Sequence, residues 1–327
     1  MIKKIFVFAQ SAVFLALCFA SEAQQPPKIP RIGIVTAQPL SAVSDRHQAF
    51  RQGLRELGYV EGENIFIEHR SAEGEFDRLP ARMAEIVRLN VDIIVSYGST
   101  TTRAAKQATS TIPIVMAQDT DPIGNGFVAS LARPGGNITG LSSLAADLSG
   151  KRLELLKEIL PKLSSAAVIG TSTNPGNTQA LKETELAASA MGIKLQYLDI
   201  LGQKDIEPAF QAARNGRADA VFVLRSPVLN SHRAQVTQLA VKSRFPATYP
   251  TNEFVEAGGL MVYGVNSTDL DRRAATYVDK ILKGRTPADL PVEQPIKFEF
   301  VINLKAAKQI GLTIPPNVLV RADKVIR

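Results

Sequence analysis

The fold class is decided by the run Val91-Asp92-Ile93-Ile94-Val95-Ser96-Tyr97-Gly98-Ser99-Thr100. Its apolar, β-branched first half is typical of a strand that is buried on both faces of a parallel sheet. Gly98 then allows a close turn, and Ser99 or Thr100 can cap a helix that the pattern predicts from about residue 100 to residue 108. The run therefore predicts one strand-turn-helix unit of an α/β fold.

Similar units lie on both sides of this run. The predicted strands cover residues 31–35, 65–68, 91–95, 112–116, 166–169, 194–198, 220–224, 260–263 and 297–302. Amphipathic helices are predicted between most of them, and this β-α-β-α order favours parallel sheets covered by helices on both faces. The order begins again after Gly140, so we predict two doubly wound α/β lobes.

The N-terminus predicts export. Residues 1–23 combine Lys3 and Lys4, an apolar run from residue 5 to residue 20, and the small residues that a cleavage site needs. This is the pattern of a cleaved signal peptide, and the run is shorter than the ~20 residues of a spanning helix. We therefore expect a periplasmic protein in which residues 24–30 form a Pro-rich spacer.

Cys18 offers a different N-terminal interpretation, as a lipid-modified cysteine. Leu17 disfavours it, because that processing requires a small residue before the cysteine. Cys18 is also the only cysteine of the 327 residues, so cleavage at residue 23 leaves no disulfide and no thiol nucleophile.

Catalytic and nucleic-acid signals are weak. The formal charge of +7 is scattered along the chain and is not interleaved with aromatic residues, so no nucleic-acid partner is expected. His47, His69 and His232 have no metal-ligand spacing, and the chain contains neither a Gly-x-Ser-x-Gly elbow nor a Walker motif. We predict a protein that is not an enzyme and that has no metal and no cofactor.

Several segments resemble a known family, the ABC transporter substrate-binding proteins, which includes the bacterial tryptophan- and tyrosine-binding proteins. The segments are Ile94 to Thr100, Ile112 to Met116 with Asp121-Pro122, Ser130-Leu131-Ala132-Arg133-Pro134-Gly135-Gly136-Asn137-Ile138-Thr139-Gly140, Ala274 to Gly284 and Phe298 to Asn303. The Ala-Arg-Pro-Gly-Gly-Asn-Ile-Thr-Gly segment is the most specific of them. The resemblance extends over nearly all of the chain after the leader.

The resemblance implies a type I periplasmic binding fold, with two Rossmann-like lobes joined by a hinge. We expect residues 31–140 with roughly 266–327 to form lobe 1, and residues 141–265 to form lobe 2. The hinge candidates are residues 139–143 and 264–267. The implied function is a monomeric exported protein that captures a small organic ligand, such as an amino acid or related carboxylate, and delivers it to an ABC permease and its ATPase.

The candidate site residues follow from the fold, because open parallel sheets bind ligands beyond the carboxyl ends of their strands. Loops with polar side chains follow several predicted strands, and Tyr97, Phe254 and Tyr263 are possible aromatic walls. The candidate ligand-binding residues are Gln38, Ser99, Thr100, Asp119, Asp121, Asn174, Arg225, Asn252, Glu253 and Tyr263.

Each of the stronger candidates has an ordinary structural alternative. Ser99 can simply cap its helix, and Asp121 can initiate an Asp-Pro turn. Arg225 either clamps a ligand carboxylate or pairs with a neighbouring acid across the cleft.

The function has alternatives as well. A sensor subunit of the same fold would present its closed form to a signalling receptor, and a secreted two-domain enzyme is disfavoured by the missing motifs. A repressor on this fold would need a DNA-binding helix pair where the chain has its export signal.

Overall fold

Two parallel-rich sheets organise the chain in the computed structural model, which describes residues 28–327. The predicted signal peptide and Cys18 lie outside the described residues. In the described part of the chain, no helix has the length and apolar character that crossing a membrane requires.

The strands and helices alternate over most of residues 28–327. The strands are β1 (Arg31–Thr36), β2 (Phe66–Ser71), β3 (Ile93–Ser96), β4 (Ile114–Asp119), β5 (Ile138–Ser142), β6 (Ser165–Gly170), β7 (Lys194–Asp199), β8 (Ala220–Val223), β9 (Ala247–Tyr249), β10 (Met261–Val265), β11 (Phe298–Asn303) and β12 (Lys324–Ile326). The helices are α1 (Ser44–Glu56), α2 (Leu79–Arg88), α3 (Ser99–Ala108), α4 (Leu148–Ile159), α5 (Asn177–Ala190), α6 (Ile206–Asn215), α7 (Pro227–Ser231), α8 (Arg233–Lys242), α9 (Asn252–Glu256), α10 (Ser267–Leu282), α11 (Leu304–Ile310) and α12 (Pro316–Leu319).

Lobe 1 is built on a five-stranded parallel sheet in the order β2-β1-β3-β4-β5. All four residues of β3 are buried, as expected for a strand with helices on both faces. One face packs Phe50 and Leu54 of α1 against α10, and the other packs Met83 and Ile86 of α2. The sheet is therefore doubly wound, as predicted.

Lobe 2 is built on a seven-stranded sheet in the order β12-β11-β10-β9-β8-β6-β7. Neighbouring strands are parallel except β10 and β11, which are antiparallel. Apolar clusters again cover both faces, with Leu153 and Leu156 of α4 on one side and Phe210 of α6 on the other. Two Rossmann-like lobes thus form the fold, which confirms the predicted fold class.

The assignment of residues 266–327 to lobe 1 needs correction. Helix α10 does pack in the lobe 1 core, but β11, β12 and the helices between them belong to lobe 2. The backbone shows this directly, because Val262 of β10 pairs with Val301 of β11 in an antiparallel register. The sequence pattern of β11 predicts a strand but carries no information about which of two sheets accepts it.

The chain consequently crosses between the lobes three times. Two crossings, after β5 and after β10, fall in the segments that the sequence predicted as hinge candidates. The third lies between Glu293 and β11 and was missed. It runs beside the first crossing, since Ser142 N donates to Glu293 O at 2.9 Å and Glu293 N donates to Gly140 O at 3.0 Å.

Gly140 is the glycine on which this crossing depends. Its φ is +131°, and a Cβ atom built there would lie 2.2 Å from the carbonyl oxygen of Met116 in β4. We expect Gly140→Ala to lower the free energy of unfolding by about 2–4 kcal/mol, because backbone cannot move aside as a flexible side chain can. Denaturant unfolding followed by circular dichroism measures the change.

Gly150 supplies the control, because it lies inside α4 and a Cβ there would meet Ala187 at an ordinary 3.5 Å. Gly150→Ala should raise the free energy of unfolding by roughly 0.5–1 kcal/mol through helix propensity. A Gly140→Ala protein as stable as the wild type would contradict the account of the crossing.

Candidate functional site

A narrow cleft with a cavity volume of about 40 Å³ lies between the two lobes. Its walls come from loops and helix starts that follow the carboxyl ends of strands in both sheets, where open α/β folds hold ligands. The residues that line it are Gln38, Arg46, Tyr97, Gly98, Ser99, Thr120, Asn174, Arg225, Ser226, Pro227, Asn230, Pro250, Thr251 and Phe254. Four of the ten predicted residues, Gln38, Ser99, Asn174 and Arg225, are among them.

The turn before α3 forms part of the lobe 1 wall. Gly98 has φ +87° and precedes the first residue of α3, Ser99. The Ser99 hydroxyl does not cap the helix, so the capping alternative is not observed; it donates to Asp119 Oδ1 at 3.0 Å. Gly98 and Ser99 thus bring the positive end of a ten-residue helix to the cleft, which favours a negatively charged ligand group.

Asp119 and Asp121 do not line the cleft. Asp119 is fully buried behind Ser99, and its Oδ1 also accepts from Asp121 N and from Asn125 Nδ2, both at 3.2 Å. Burial raises the pKa of Asp119 to about 6, although these hydrogen bonds oppose the shift. Asp121 Oδ1 accepts from Gly124 N at 2.8 Å, so Asp121 has the turn role that was its alternative. Asp119 acts on the wall only through Ser99.

An ion pair joins the lobes at the cleft. Arg46 of α1 donates from Nη2 and Nε to Glu253 Oε1 of α9, at 2.8 and 3.1 Å. Burial raises the pKa of Glu253, but the Arg46 charge and nearby hydrogen bonds outweigh it and lower the pKa to about 2. Glu253 was predicted as a site residue, whereas Arg46 was missed, because one arginine on an amphipathic helix carries no signal of its partner.

Two more hydrogen bonds cross the cleft. Thr100 Oγ1 donates to Asn174 Oδ1 at 2.8 Å, and Gln38 Nε2 donates to the carbonyl oxygen of Pro227 at 3.3 Å. The structure therefore places Gln38, Thr100 and Asn174 in contacts between the lobes, Thr100 with Asn174 and Gln38 with Pro227.

Arg225 lies at the centre of a chain of polar contacts. Its Nη2 donates to Gln118 Oε1 of β4, and Gln118 Nε2 donates to both carboxylate oxygens of Asp271, at 2.8 and 3.0 Å. Among residues 28–327 no carboxylate lies within ion-pair distance of Arg225, so its alternative pairing with an acid is not observed. Burial lowers the pKa of Arg225 to about 10. A half-buried guanidinium bonded only to a neutral amide is suited to receive an anion.

Asp271 is the buried acid in this series of polar contacts, and the sequence did not predict it as a site residue. It lies in the second turn of α10, with no exposed surface. Burial raises its pKa to about 7, and the charges of Arg46 and Arg225 with the Gln118 hydrogen bond offset only part of that effect. The signal available in the sequence was Gln118. It is a polar residue near the end of the apolar strand β4, just as Arg225 is a polar residue after the apolar strand β8.

Asn252 and Tyr263 lie away from the cleft, which corrects their prediction. Asn252 Nδ2 donates to Glu299 Oε2 at 2.5 Å, on the side of α9 that faces β11. Tyr263 packs in lobe 2 against Phe298 and Phe300, with ring centroids 6.1 and 6.3 Å apart. The alternation of side chains along β10 turns Tyr263 away from the cleft.

Tyr97 and Phe254 do line the cleft. The Tyr97 ring stacks on His47 with centroids 5.1 Å apart, and the Phe254 ring stacks on Tyr249 at the same separation. Each ring thus has one face already covered by a neighbour within its own lobe.

Comparisons with known proteins follow this geometry. A family model described as ABC transporter substrate binding protein matches residues 32–326. The tyrosine-binding protein of Clostridioides difficile is 26% identical over 286 residues, which are 87% of this chain and 82% of that protein.

Two solved structures are also similar. A conserved domain protein from Vibrio cholerae superposes with a TM-score of 0.87 at 30% identity, over 91% of this chain and 100% of that one. An ABC domain from Streptococcus pneumonia in complex with L-Trp gives a TM-score of 0.82 at 26% identity, over 90% of this chain and 100% of that one. The resemblance found in the sequence is confirmed.

The ion pair between the lobes leads to a prediction about their separation. Arg46→Ala should shift the protein towards separated lobes and raise its radius of gyration in small-angle X-ray scattering. If the lobes of the variant stayed in contact, Glu253 would remain buried without the Arg46 cation, which costs roughly 3–5 kcal/mol.

Arg51→Ala is the matched control for that measurement, because Arg51 lies on the same helix and pairs with Glu61 inside lobe 1. It should leave the radius of gyration unchanged. An Arg46→Ala protein that is folded and as compact as the wild type would refute the role of the pair.

Asp271 predicts a pH dependence of stability. Its pKa of about 7 in the folded protein lies above the ordinary 3.8, so the folded state binds more protons than the unfolded chain between those values. Its stabilising contribution is therefore complete below pH 4 and is lost as the pH rises through 7. Asp271→Asn, which stays neutral, should match the wild-type melting temperature near pH 4 and exceed it at pH 8.

Asp269→Asn is the control for the pH series, since Asp269 lies exposed on the same helix. Its melting temperatures should run parallel to those of the wild type from pH 4 to pH 8. Parallel curves for Asp271→Asn as well would exclude Asp271 as the titrating group.

Proposed function

Because the chain belongs to the ABC transporter substrate-binding protein family, we propose that it is exported, captures a small organic carboxylate between its lobes and delivers it to an ABC importer. The ligand class is an amino acid or a related carboxylate. The relatives support this class, since one is a tyrosine-binding protein and another was solved in complex with L-Trp.

The observation that carries the proposal is Arg225. It is a half-buried guanidinium that lines the cleft, and its hydrogen-bond partner across the lobes is the neutral oxygen of Gln118. A ligand carboxylate is a stronger acceptor for a guanidinium than an amide oxygen, because the hydrogen bond is then assisted by both charges. The ligand therefore replaces Gln118 as the acceptor.

The opposite wall supports the same group. Gly98 and Ser99 present the start of α3 to the cleft, so a carboxylate held by Arg225 from lobe 2 also meets the positive end of a helix from lobe 1. A ligand touched by both lobes stabilises the form in which they are close, and its differential affinity drives the motion about the three crossings. The permease then recognises the closed surface.

Arg225→Ala should abolish binding of the ligand found by a thermal-shift screen of amino acids and other carboxylates. We expect a loss of roughly 100-fold or more in affinity, measured by titration calorimetry, because the partner of a buried ion pair is removed. The amide of the same ligand lacks the carboxylate charge, so the wild-type protein should bind it about 100-fold more weakly than the carboxylate. The substitution Arg225→Ala should weaken binding of the amide little further.

The control is Arg321→Ala, which removes the same charge from the lobe 2 surface, where Arg321 pairs with Glu158. It should bind like the wild type. Unchanged affinity in Arg225→Ala would refute the role of Arg225. Uptake of the ligand that persists in cells lacking the gene would refute delivery to an importer and favour a sensing subunit.

A further inference from the structure

Three polar side chains on the cleft walls, Tyr97, Asn230 and Thr251, are buried without a hydrogen-bond partner in the described part of the chain. The Thr251 hydroxyl lies beside Glu253 of its own lobe, which leaves Tyr97 and Asn230. Tyr97, in lobe 1, is 8% exposed, and Asn230, in lobe 2, is 7% exposed. The Tyr97 hydroxyl and both amide atoms of Asn230 lack partners among residues 28–327. Both residues line the cleft. The two walls therefore offer one hydroxyl and one complete amide to whatever the cleft holds.

The local structure leaves these groups at the cleft walls without a partner of their own. Asn230 N donates to Ser226 O at 2.9 Å, and its carbonyl oxygen accepts from Arg233, so the backbone of α7 is satisfied without the side chain. The ring of Tyr97 is held by its stacking on His47, which fixes the hydroxyl direction. Buried polar groups in native proteins are almost always hydrogen-bonded, so groups like these indicate partners supplied from outside the chain.

The chemistry of the pair defines the partner. A primary amide both donates and accepts, and a tyrosine hydroxyl does the same. A hydrocarbon group placed between them would leave three polar atoms buried without partners, whereas an amide or hydroxyl group would satisfy them. Sites built in this way reject analogues that lack the polar group far more strongly than apolar sites reject additional polar groups.

We propose that the ligand carries, in addition to its carboxylate, a primary amide or hydroxyl group that hydrogen-bonds to Asn230 and Tyr97. This inference rests on the proposed function and narrows its substrate class. Asn230 and Tyr97 are then the residues that determine specificity, and they favour a polar side group over the aromatic side chains of the ligands named for the two relatives.

Pairs of ligands with the same shape test the inference on the wild-type protein. The pairs are L-asparagine with L-leucine, L-threonine with L-valine, and succinamate with 4-methylpentanoate. In at least one pair, the polar member should bind roughly 10- to 100-fold more tightly in calorimetry, since its partner leaves buried polar groups unsatisfied.

Two variants test the residues. Asn230→Leu and Tyr97→Phe keep the size of the side chain and remove the polar atoms, so each should reduce the polar member's advantage about 10-fold. Asn215→Leu, at the exposed end of α6, and Tyr197→Phe, whose hydroxyl contacts Asp199 on the surface, are the matched controls and should change nothing. Melting curves confirm that the variants are folded.

The outcomes separate this inference from the function on which it rests. If an apolar or aromatic amino acid binds at least as tightly as every polar member, and Arg225→Ala abolishes that binding, the inference is wrong and the proposed function stands. If no carboxylate of any kind binds, the proposed function fails and the inference fails with it. Selective binding of a polar member that Asn230→Leu does not alter would also overturn the assignment to Asn230.

Discussion

The contact between the lobes depends on the burial of charge in a cleft that is covered from both sides. Arg46 and Glu253 form an ion pair in which neither partner is well exposed to water, and the buried Asp271 and the half-buried Arg225 lie near it. Taking charges out of water is costly unless geometry and hydrogen bonds compensate for it. Here each charge is compensated by a group that another segment supplies, so the compensation exists only while the segments, and in part the lobes, are together.

The compensation is uneven, and this makes the cleft receptive. Arg46 has a carboxylate partner, whereas Arg225 has only the oxygen of Gln118, whose amide nitrogen is in turn held by Asp271. Asp271 therefore fixes the direction of the Gln118 amide, and Gln118 presents its oxygen to lobe 2. Breaking the contact of Gln118 with Arg225 costs one hydrogen bond to a charged group. A ligand carboxylate that replaces the Gln118 oxygen forms a hydrogen bond to Arg225 in which both the donor and the acceptor are charged.

Much of the fold could be predicted from the sequence because strand and helix periodicities are local. The buried run of β3 and the amphipathic helices were found to within a few residues. Three strands, β5, β9 and β12, were missed. β9 and β12 have three residues each, and three residues cannot show a period. The sheet to which β11 belongs could not be predicted either, since it depends on the third crossing and not on the composition of the strand.

Site residues that follow the ends of strands could be predicted. Residues whose role depends on a partner elsewhere in the chain could not. Gln38, Ser99, Asn174 and Arg225 come directly after buried strands, and the parallel-sheet rule places such residues at one edge. Arg46, Asn230 and Asp271 lie on helices, where a polar residue is ordinarily a solvated one. The role of Arg46 depends on Glu253 of the opposite lobe, and that of Asp271 depends on Gln118 of another element of its own lobe. Neither contact is visible in the local sequence.

This division also bears on how one fold serves different ligands. In the proposed function, the start of α3 and the cation of Arg225 recognise a carboxylate, a group that any amino acid carries. The contribution of α3 comes from its backbone. Tyr97 and Asn230 contribute side-chain atoms only, so a single substitution at either changes the partner that the wall requires without disturbing a strand. Relatives at 26–30% identity can therefore share the architecture while their side-group pockets differ. In this proposal the fold specifies where a ligand and its charged end bind, and Tyr97 and Asn230 specify its polar side group.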